Sequence, residues 1–276
     1  MDARRFRPLK NVDLRAAPPR VLPSWPPMPP RTFAIGDVHG ELEKLVTLLQ
    51  RFPSLTSQDS LVFLGDYLDR GPHSRQVIEY LMLLPSLTKA KVVCLRGNHE
   101  DAWLRVQREG WDQFLVPVGN GCLSTYRSFV GGAVPVGEEM PNAEEMQAMS
   151  SGSFFPAKIT KWMQELPYWY EDEHAIYVHA GLPRIDGEFV HPSQVPDPLV
   201  LLWIRTEDFF RNYRGKPVVF GHTHTEFLPQ ELSSYTPDDP TDLWAGECAV
   251  GLDTGCGSGG FLTGLEWPGV LVYESR

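Results

Sequence analysis

The sequence predicts an α/β fold, and three observations support this prediction. Five short apolar runs, rich in β-branched and aromatic residues, each end in a polar signature, which is the pattern of buried strands that stop at one sheet edge. Amphipathic segments at helical spacing separate the first runs, as in βαβ units with a substantially parallel sheet. The chain of 276 residues is also long enough to bury a sizeable core.

The predicted elements follow in chain order. The five strands are predicted over residues 32–35, 61–64, 91–95, 175–178 and 218–220. Residues 41–52 carry apolar side chains at helical spacing and predict the first helix. A second helix is predicted to be capped by Ser74 and to end near Pro85.

After the third strand the pattern becomes mainly helical and loop-like, and a helix with Ile159 and Met163 on its apolar face closes this segment. The segment separates the ligand candidates Asn98 and His179, so we expect it to lie near the mouth of the site. It predicts a helical cap insert over about residues 100–170 that governs specificity.

The chain divides into two regions by composition. The motifs form one ordered set that two domains would split, which predicts a single domain over residues 31–276. Residues 1–30 contain eight prolines and six Lys or Arg against two Asp. Such a stretch is not expected to fold alone, so we predict an extended arm, loose or laid along the domain, with Trp25 as a candidate anchor. A docking motif for a partner is the alternative.

Each predicted strand ends in a motif that pairs glycine with a polar side chain. The motifs are Gly36-Asp37-Val38-His39-Gly40, Gly65-Asp66-Tyr67-Leu68-Asp69-Arg70-Gly71, Gly97-Asn98-His99-Glu100, His179-Ala180-Gly181 and Gly221-His222-Thr223-His224. Carboxylate, amide and imidazole ligands together suit two divalent cations that leave positions open for water and a phosphoryl oxygen. The predicted metal ligands are Asp37, His39, Asp66, Asn98, His179 and His222.

The order of these motifs resembles that of the PPP family of metallophosphatases, within the calcineurin-like metallophosphoesterase superfamily. The resemblance runs from about Arg31 to Tyr273 and implies a two-sheet α/β/β/α sandwich of the metallophosphoesterase type with a helical cap insert. It also implies that Asp66 bridges two metal ions. The implied ligands are Asp37, His39 and Asp66 for one ion, and Asp66, Asn98, His179 and His222 for the other.

Five residues are predicted to act on the substrate. Arg70 and Arg96 lie beside metal ligands in the sequence, and planar guanidinium groups can hold two phosphate oxygens each. Arg205 is a third phosphate-binding candidate, because it resembles an additional arginine of bacterial and phage members. His99 is predicted to protonate the leaving oxygen, with Asp69 orienting its imidazole, and the resemblance supports the same pair.

His224 departs from the pattern of many PPP members, which lack a second histidine after Gly-His-Thr. Other metallophosphoesterases use a Gly-His-x-His pair whose second histidine completes the first metal site, so His224 is a further predicted ligand. The ligand set suits Mn²⁺, Fe²⁺, Zn²⁺ or Mg²⁺. Resemblance to bacterial members favours Mn²⁺.

Two segments bear on the branch of the family. Gly251-Leu252-Asp253-Thr254-Gly255 and the following residues 259–263 resemble bacterial PPP phosphatases and symmetrical diadenosine tetraphosphatases. In the cap, Asn120-Gly121-Cys122 is similar to an Asn-Gly-Gly segment of bacterial members, with Cys122 in place of the second glycine. The chain is therefore expected on the bacterial side of the family.

Composition excludes several classes of function. The net charge of −10 and the pI near 5.3 argue against a broad nucleic-acid-binding surface. The chain has no apolar stretch long enough for a membrane span and no signal-peptide core. Four cysteines without a Cys-x-x-Cys pair favour a reduced, cytoplasmic setting.

The sequence therefore predicts an enzyme. The favoured hypothesis is a dinuclear-metal phosphatase in which a metal-bridging hydroxide attacks phosphate monoesters, above all phosphoserine or phosphothreonine in proteins, but also small phosphorylated molecules. The alternative is a symmetrical diadenosine tetraphosphate hydrolase. A nuclease is disfavoured by the acidic charge, and a non-catalytic binding protein by the complete set of ligands.

Overall fold

The computed structural model describes residues 29–234, 239 and 241–276. The predicted proline-rich arm, including Trp25, lies almost entirely outside the described residues. Within the described part, the strands are β1 (Thr32–Ile35), β2 (Ser60–Phe63), β3 (Lys91–Cys94), β4 (Trp169–Glu171), β5 (Ile176–Val178), β6 (Arg184–Ile185), β7 (Glu188–Phe189), β8 (Val218–Phe220), β9 (Trp244–Ala245), β10 (Ala249–Gly251), β11 (Thr263–Trp267) and β12 (Leu271–Glu274).

Two five-stranded sheets form the framework, with orders β12-β11-β1-β2-β3 and β4-β5-β8-β10-β9. Both sheets are mixed. In the first sheet β1, β2 and β3 are parallel and the remaining strands are antiparallel; in the second, β5, β8 and β10 are parallel and the two edge strands β4 and β9 are antiparallel. Strands β6 and β7 form a separate antiparallel pair. All five strands predicted from the sequence are confirmed to within one residue at each end.

Helices cover the outer faces of the sheets and build the cap. In the described residues the α-helices are α1 (Leu42–Arg51), α2 (Ser74–Leu87), α3 (Asn98–Glu109), α4 (Cys122–Val130), α5 (Ala143–Ser151), α6 (Ala157–Glu165), α7 (Val200–Trp203) and α8 (Glu207–Asn212). Helices α3 to α6 form the cap insert, and α3 packs against both α5 and α6. The helical character predicted for the cap segment and both predicted crossover helices are therefore confirmed, and the role of the cap in specificity stays a prediction.

One detail of the prediction was wrong. Ser74 is the first residue of α2, and His73 occupies the cap position. The Ser74 hydroxyl instead accepts a hydrogen bond from the Asp69 backbone N–H at 3.1 Å and contacts the Thr125 hydroxyl at 3.0 Å. It therefore joins the loop that carries Asp69 to the cap.

The core consists of three apolar layers. One lies between the two sheets and contains residues such as Val62 from β2 and Val219 from β8. A second lies under α1, α2 and the cap helices, and the third under α7 and α8, where Phe209 and Phe220 are buried. This layering is the predicted α/β/β/α sandwich, in which the two sheets pack face to face across the first layer.

The cysteines and the helices can be compared with the predictions made from composition. All four cysteines, at positions 94, 122, 248 and 256, are unpaired. None of the helices in the described ranges is both long and apolar enough to cross a membrane.

Candidate dinuclear metal centre

Strand register places the predicted ligands at one edge. Ile35, Phe63 and Cys94 pair across β1, β2 and β3, so these parallel strands end level with each other. In the second sheet, Phe220 of β8 pairs with Gly251 of β10. The carboxyl ends of parallel strands meet at the same sheet edge, which is where the motifs begin.

The backbone is strained at this edge. Most of the non-glycine residues with positive φ in the described chain are predicted site residues: His39 (44°), Asp66 (52°), Asp69 (70°), Arg70 (66°) and His222 (62°). Such left-handed conformations cost roughly 1–3 kcal/mol each and persist only where the surrounding structure imposes them. Their concentration here marks this edge as the functional one.

Asp66 is the shared member of two buried clusters of ligand atoms. One cluster combines it with His39 and His99, the other with His179 and His222, and the atoms within each lie at most 4.8 Å apart. Asp66 Oδ2 is 3.5 Å from His39 Nε2, and Asp66 Oδ1 is 3.5 Å from His179 Nε2. One carboxylate therefore presents an oxygen to each cluster, as a bridging ligand would.

The hydrogen bonds of two histidines leave lone pairs aimed into the centre. His39 Nδ1 is 2.8 Å from the Leu68 carbonyl, and His179 Nδ1 is 2.9 Å from the Leu64 carbonyl. A carbonyl can only accept, so each Nδ1 carries the hydrogen and each Nε2 carries a lone pair. His179 Nε2 lies 2.9 Å from Asn98 Oδ1, another acceptor. Two acceptors at this distance fit a cation bound between them.

Asp37 and His222 each have a buried polar atom without a hydrogen-bond partner in the described residues. Asp37 Oδ2 accepts the His222 backbone N–H at 2.9 Å, and His222 Nδ1 is 2.8 Å from Asn98 Oδ1. Asp37 Oδ1 and His222 Nε2 are buried and have no hydrogen-bond partner among the described residues. Buried polar atoms are rarely left unpaired, so these atoms also fit cation ligation.

The electrostatics separate the histidines into two kinds. Burial lowers the pKa values of His39, His179 and His222, which leaves these imidazoles neutral and able to ligate metal. Burial also opposes a charge on His99, but the charges of Asp66 and Asp69 outweigh it and raise the pKa of His99. A protonated imidazole has no free lone pair, so His99 suits proton donation better than ligation.

The two aspartates of the centre are also perturbed. Burial raises the pKa of Asp37 well above its usual range, and the neighbouring charges of Asp253 and Asp66 add to this effect. Burial would raise the pKa of Asp66 too, but the neighbouring imidazoles of His179, His99 and His39 lower it. A cation beside Asp37 would favour its ionised form.

Two glycines are required by close approach to the carboxylates. A Cβ at Gly221 would overlap Asp37 Oδ1, and a Cβ at Gly97 would overlap Asp66 Oδ1. Both glycines directly precede predicted ligands, so they allow the backbone to pass against the carboxylates.

His99 and Asp69 form the predicted pair. His99 Nδ1 donates to Asp69 Oδ2 at 2.6 Å, and both side chains are buried. The other carboxylate oxygen, Asp69 Oδ1, accepts from Trp103 Nε1 at 2.9 Å and from the Thr125 hydroxyl at 2.6 Å. Asp69 is thus fixed by two cap residues, and it in turn sets the orientation of the His99 ring.

A cavity of about 390 Å³, here called the phosphate pocket, opens beside the centre. Its lining residues are Arg70, Arg205, His222, Thr223, His224 and Phe227. Arg205 donates from Nη2 to the His222 carbonyl at 3.1 Å, which holds its guanidinium at the pocket wall. Two arginines therefore give the pocket a positive wall suited to phosphate oxygens.

Arg96 does not line this pocket, contrary to the prediction that its guanidinium holds phosphate oxygens beside Arg70. Its guanidinium donates to the Tyr168 hydroxyl at 2.8 Å and to the Gln164 carbonyl at 2.6 Å, and it stacks over the Tyr168 ring. It is also 3.6 Å from Asp101. These contacts tie β3 to the end of the cap and give Arg96 a structural role.

His224 lies at the pocket wall and outside both clusters of ligand atoms found in the described residues. Its Nε2 is 3.7 Å from Asp253 Oδ2, and Asp253 is buried close enough to Asp37 to affect its pKa. The ligand role of His224 for the first metal stays a prediction.

Glu100 belongs to the Gly97-Asn98-His99-Glu100 motif, and its role is visible only in the structure. Glu100 is fully buried and accepts the backbone N–H groups of Asp66 at 3.0 Å, Tyr67 at 2.8 Å and Gly97 at 2.9 Å. It therefore locks the loop of Asp66 to the start of α3. The signal in the sequence was its place directly after Asn98 and His99.

Two mixed sheets whose parallel strands end at a buried, Asp66-centred cluster, next to an arginine-lined pocket, define a phosphoesterase of the metal-dependent class. Residues 30–226 match the profile of the family described as Calcineurin-like phosphoesterase, and the chain belongs to this family. Membership implies divalent metal ions, and the Asp and His side chains described above fit them.

Several curated proteins are similar over most of the chain. A protein of Anoxybacillus flavithermus named "Bis(5'-nucleosyl)-tetraphosphatase PrpE [asymmetrical]" is 28% identical over 260 residues, covering 85% of this chain and 89% of that protein. A protein of the same name from Bacillus mycoides is 29% identical with the same coverage. The yeast serine/threonine-protein phosphatase PP1-1 of Saccharomyces cerevisiae is 38% identical, but over 65 residues that cover 24% of this chain and 21% of that protein.

Solved structures share the fold. A crystal structure provisionally named as a diadenosine tetraphosphatase superposes with a TM-score of 0.53 at 20% identity, covering 91% of this chain and 95% of its own. A cold-active protein-tyrosine phosphatase of a psychrophilic Shewanella gives 0.51 at 16% identity, with coverage of 85% and 75%. At these identities the likeness shows the fold alone.

Proposed function

We propose that this protein is a metal-dependent hydrolase of dinucleoside polyphosphates, which splits diadenosine tetraphosphate and water into ATP and AMP. The main support for hydrolase activity is the pair of buried ligand clusters that share Asp66 beside the phosphate pocket. The substrate and the asymmetric position of cleavage are supported by the relatives that match 85% of this chain.

Two cavities adjoin the phosphate pocket and support a substrate larger than a single phosphate group. A cavity of about 200 Å³ on the cap side shares Arg70 with the pocket's lining. A second cavity, of about 550 Å³, shares His224 and Phe227 with the pocket and Ser258 with the cap-side cavity. A polyphosphate chain with a nucleoside at each end fits this arrangement better than a small phosphate monoester does.

The proposed ligands are divided between two sites. They are Asp37, His39 and Asp66 for the first ion, and Asp66, Asn98, His179 and His222 for the second. When bound, two divalent cations, by our proposal Mn²⁺, neutralise phosphoryl charge and lower the pKa of a water molecule. His224 is proposed to complete the first site.

The protein side chains supply orientation and a proton. Arg70 and Arg205 hold phosphate oxygens from the pocket wall, so the phosphoryl group is fixed for attack. His99 donates its Nε2 proton to the leaving phosphate oxygen, and Asp69 stabilises the charged imidazole through the 2.6 Å hydrogen bond. The buried site around them excludes bulk water and strengthens these charge interactions.

Hydrolysis of phosphoserine or phosphothreonine in proteins is the second candidate. It is favoured by the short match to the yeast protein phosphatase and by the Asp-Arg-Gly and Asn-His-Glu motifs. The same metal ligands and acid would serve it, since both reactions transfer a phosphoryl group to water. The two candidates differ in what the flanking cavities hold.

The test compares kcat/KM for diadenosine tetraphosphate and for a phosphoserine peptide, using protein that has been chelated and reloaded with Mn²⁺. Products are separated by anion-exchange chromatography. We expect a preference for the dinucleotide and equal amounts of ATP and AMP. ADP as product would overturn asymmetric cleavage, and a preference for the peptide would overturn the substrate in favour of the second candidate. Asp66→Asn serves as the inactive control.

A further inference from the structure

Phe227 is an aromatic side chain that the fold holds exposed at the rim of the phosphate pocket. It ends a short 3₁₀ helix, Thr225–Phe227, which directly follows His224. Its exposed fraction is 73%, and among the described residues it is the one aromatic member of the strongly exposed large apolar side chains. Single exposed apolar residues are common, but Phe227 differs from the others because it lines the phosphate pocket.

The position of Phe227 is fixed by its neighbours. The Thr225 N–H donates to the Asp253 carbonyl at 2.9 Å, and the Phe227 N–H donates to the His224 carbonyl at 2.9 Å. The next residue, Leu228, is buried in the core. The phenyl ring stacks almost parallel on the His224 imidazole, with 5.7 Å between centroids and 10° between planes. The exposed ring is therefore presented by an anchored segment.

Phe227 and His224 line two adjoining cavities. One is the phosphate pocket, and the other is the cavity of about 550 Å³ already described, here called the outer cavity. The outer cavity also contains Phe261, with the Arg276 guanidinium 3.9 Å above its ring. A group attached to a phosphate in the pocket would reach the outer cavity directly past the Phe227 ring.

The aromatic rings of Phe227 and Phe261 in the outer cavity favour the binding of a flat, π-rich group. Nucleobases stack on exposed aromatic rings with little regard to which base is present. The outer cavity falls within the roughly 300–1,000 Å³ range of small-molecule sites. We infer that Phe227 is a stacking platform for a nucleobase of the substrate, whose phosphates lie between Arg70 and Arg205. This inference rests on the proposed function and extends it to the residue that distinguishes nucleotides from other phosphoesters.

The first experiment measures discrimination. It compares kcat/KM for diadenosine tetraphosphate with kcat/KM for inorganic tripolyphosphate, which has phosphoanhydride bonds but no base. In Phe227→Ala we expect the ratio of the two values to fall about tenfold or more, as for other bases that lose an aromatic partner. Phe227→Trp should keep the ratio of the unaltered protein, because it retains an aromatic face. Leu87→Ala is the matched control, since Leu87 is a 60% exposed apolar residue on α2.

The second experiment measures binding without turnover. Saturation-transfer NMR with adenosine, which has no phosphate to hydrolyse, is recorded on the chelated protein. We expect strong transfer to the adenine protons in the unaltered protein and in Leu87→Ala, and a large loss in Phe227→Ala.

The outcomes separate the two proposals. Equal adenosine signals in the unaltered protein and Phe227→Ala would overturn the platform, whatever the enzyme hydrolyses. An unchanged ratio of kcat/KM values in Phe227→Ala would overturn it as well. If the unaltered protein fails to hydrolyse diadenosine tetraphosphate but binds adenosine through Phe227, the proposed reaction fails and the platform stands.

Discussion

The His99→Asn substitution removes the proposed acid and leaves its surroundings largely intact. The His99 backbone N–H, which donates to Asp66 Oδ1 at 3.0 Å, is kept, so the shared carboxylate remains oriented. General acid catalysis contributes about 10²–10⁴-fold. We therefore expect kcat for diadenosine tetraphosphate to fall about 10²–10⁴-fold, while the protein still binds two metal ions per chain, measured by plasma mass spectrometry.

The contribution of Asp69 can be worked from its contacts. The hydrogen bond from His99 Nδ1 to Asp69 Oδ2 is short and charge-assisted, and such bonds contribute about 1.5–3 kcal/mol. That range corresponds to about 10–150-fold in rate for Asp69→Asn. Asp69 acts through His99, so the Asp69→Asn change should cost little further activity when His99→Asn is already present.

The assay is a double-mutant cycle on kcat at saturating Mn²⁺. It is repeated with p-nitrophenyl phosphate, whose leaving group departs as a stable phenolate and needs an acid less. The losses should be smaller with that substrate. Loss of metal from His99→Asn, or additive losses in the double variant, would refute the assignment of the acid and its partner.

Three further outcomes are expected. Asp66→Asn should abolish activity and reduce the metal content below that of the unaltered protein, measured by plasma mass spectrometry; an active variant would remove Asp66 as the bridge. Arg96→Ala should lower Tm in a thermal melt, because it removes the contacts that join β3 to the cap, whereas Arg205→Ala should raise KM and leave Tm nearly unchanged. Burial would raise the pKa of Asp59, but hydrogen bonds from Arg31 and Thr56 lower it below its unfolded value near 3.9. The stability from Asp59 should be present above that value and lost as pH falls through the folded pKa. The difference in urea midpoint between the protein and Asp59→Asn should therefore shrink between pH 7 and pH 3.

Local patterns were enough to predict the framework of the site. A strand is specified by a few consecutive apolar residues, and the glycine and ligand types follow directly after it in the chain. The five predicted strands are therefore found within one residue of their observed bounds, and the six principal ligand candidates follow from them. The motifs also predicted that Asp69 orients His99. The hydrogen bonds of Asp69 with Trp103 and Thr125 were found only in the structure.

The sequence by itself thus determined the fold class, the order of the ligands and the residue types of the centre. The tertiary structure decided the roles of side chains whose partners are distant in the chain. Arg70 and Arg96 look equivalent in sequence, because each lies beside a ligand, but one lines the phosphate pocket and the other binds Tyr168 at the cap. Likewise, the anchoring of the Phe227 segment by Asp253 depends on two loops that follow the paired strands β8 and β10 and are distant in the chain. The direction of a long side chain is set by packing across the fold, and no local pattern encodes it.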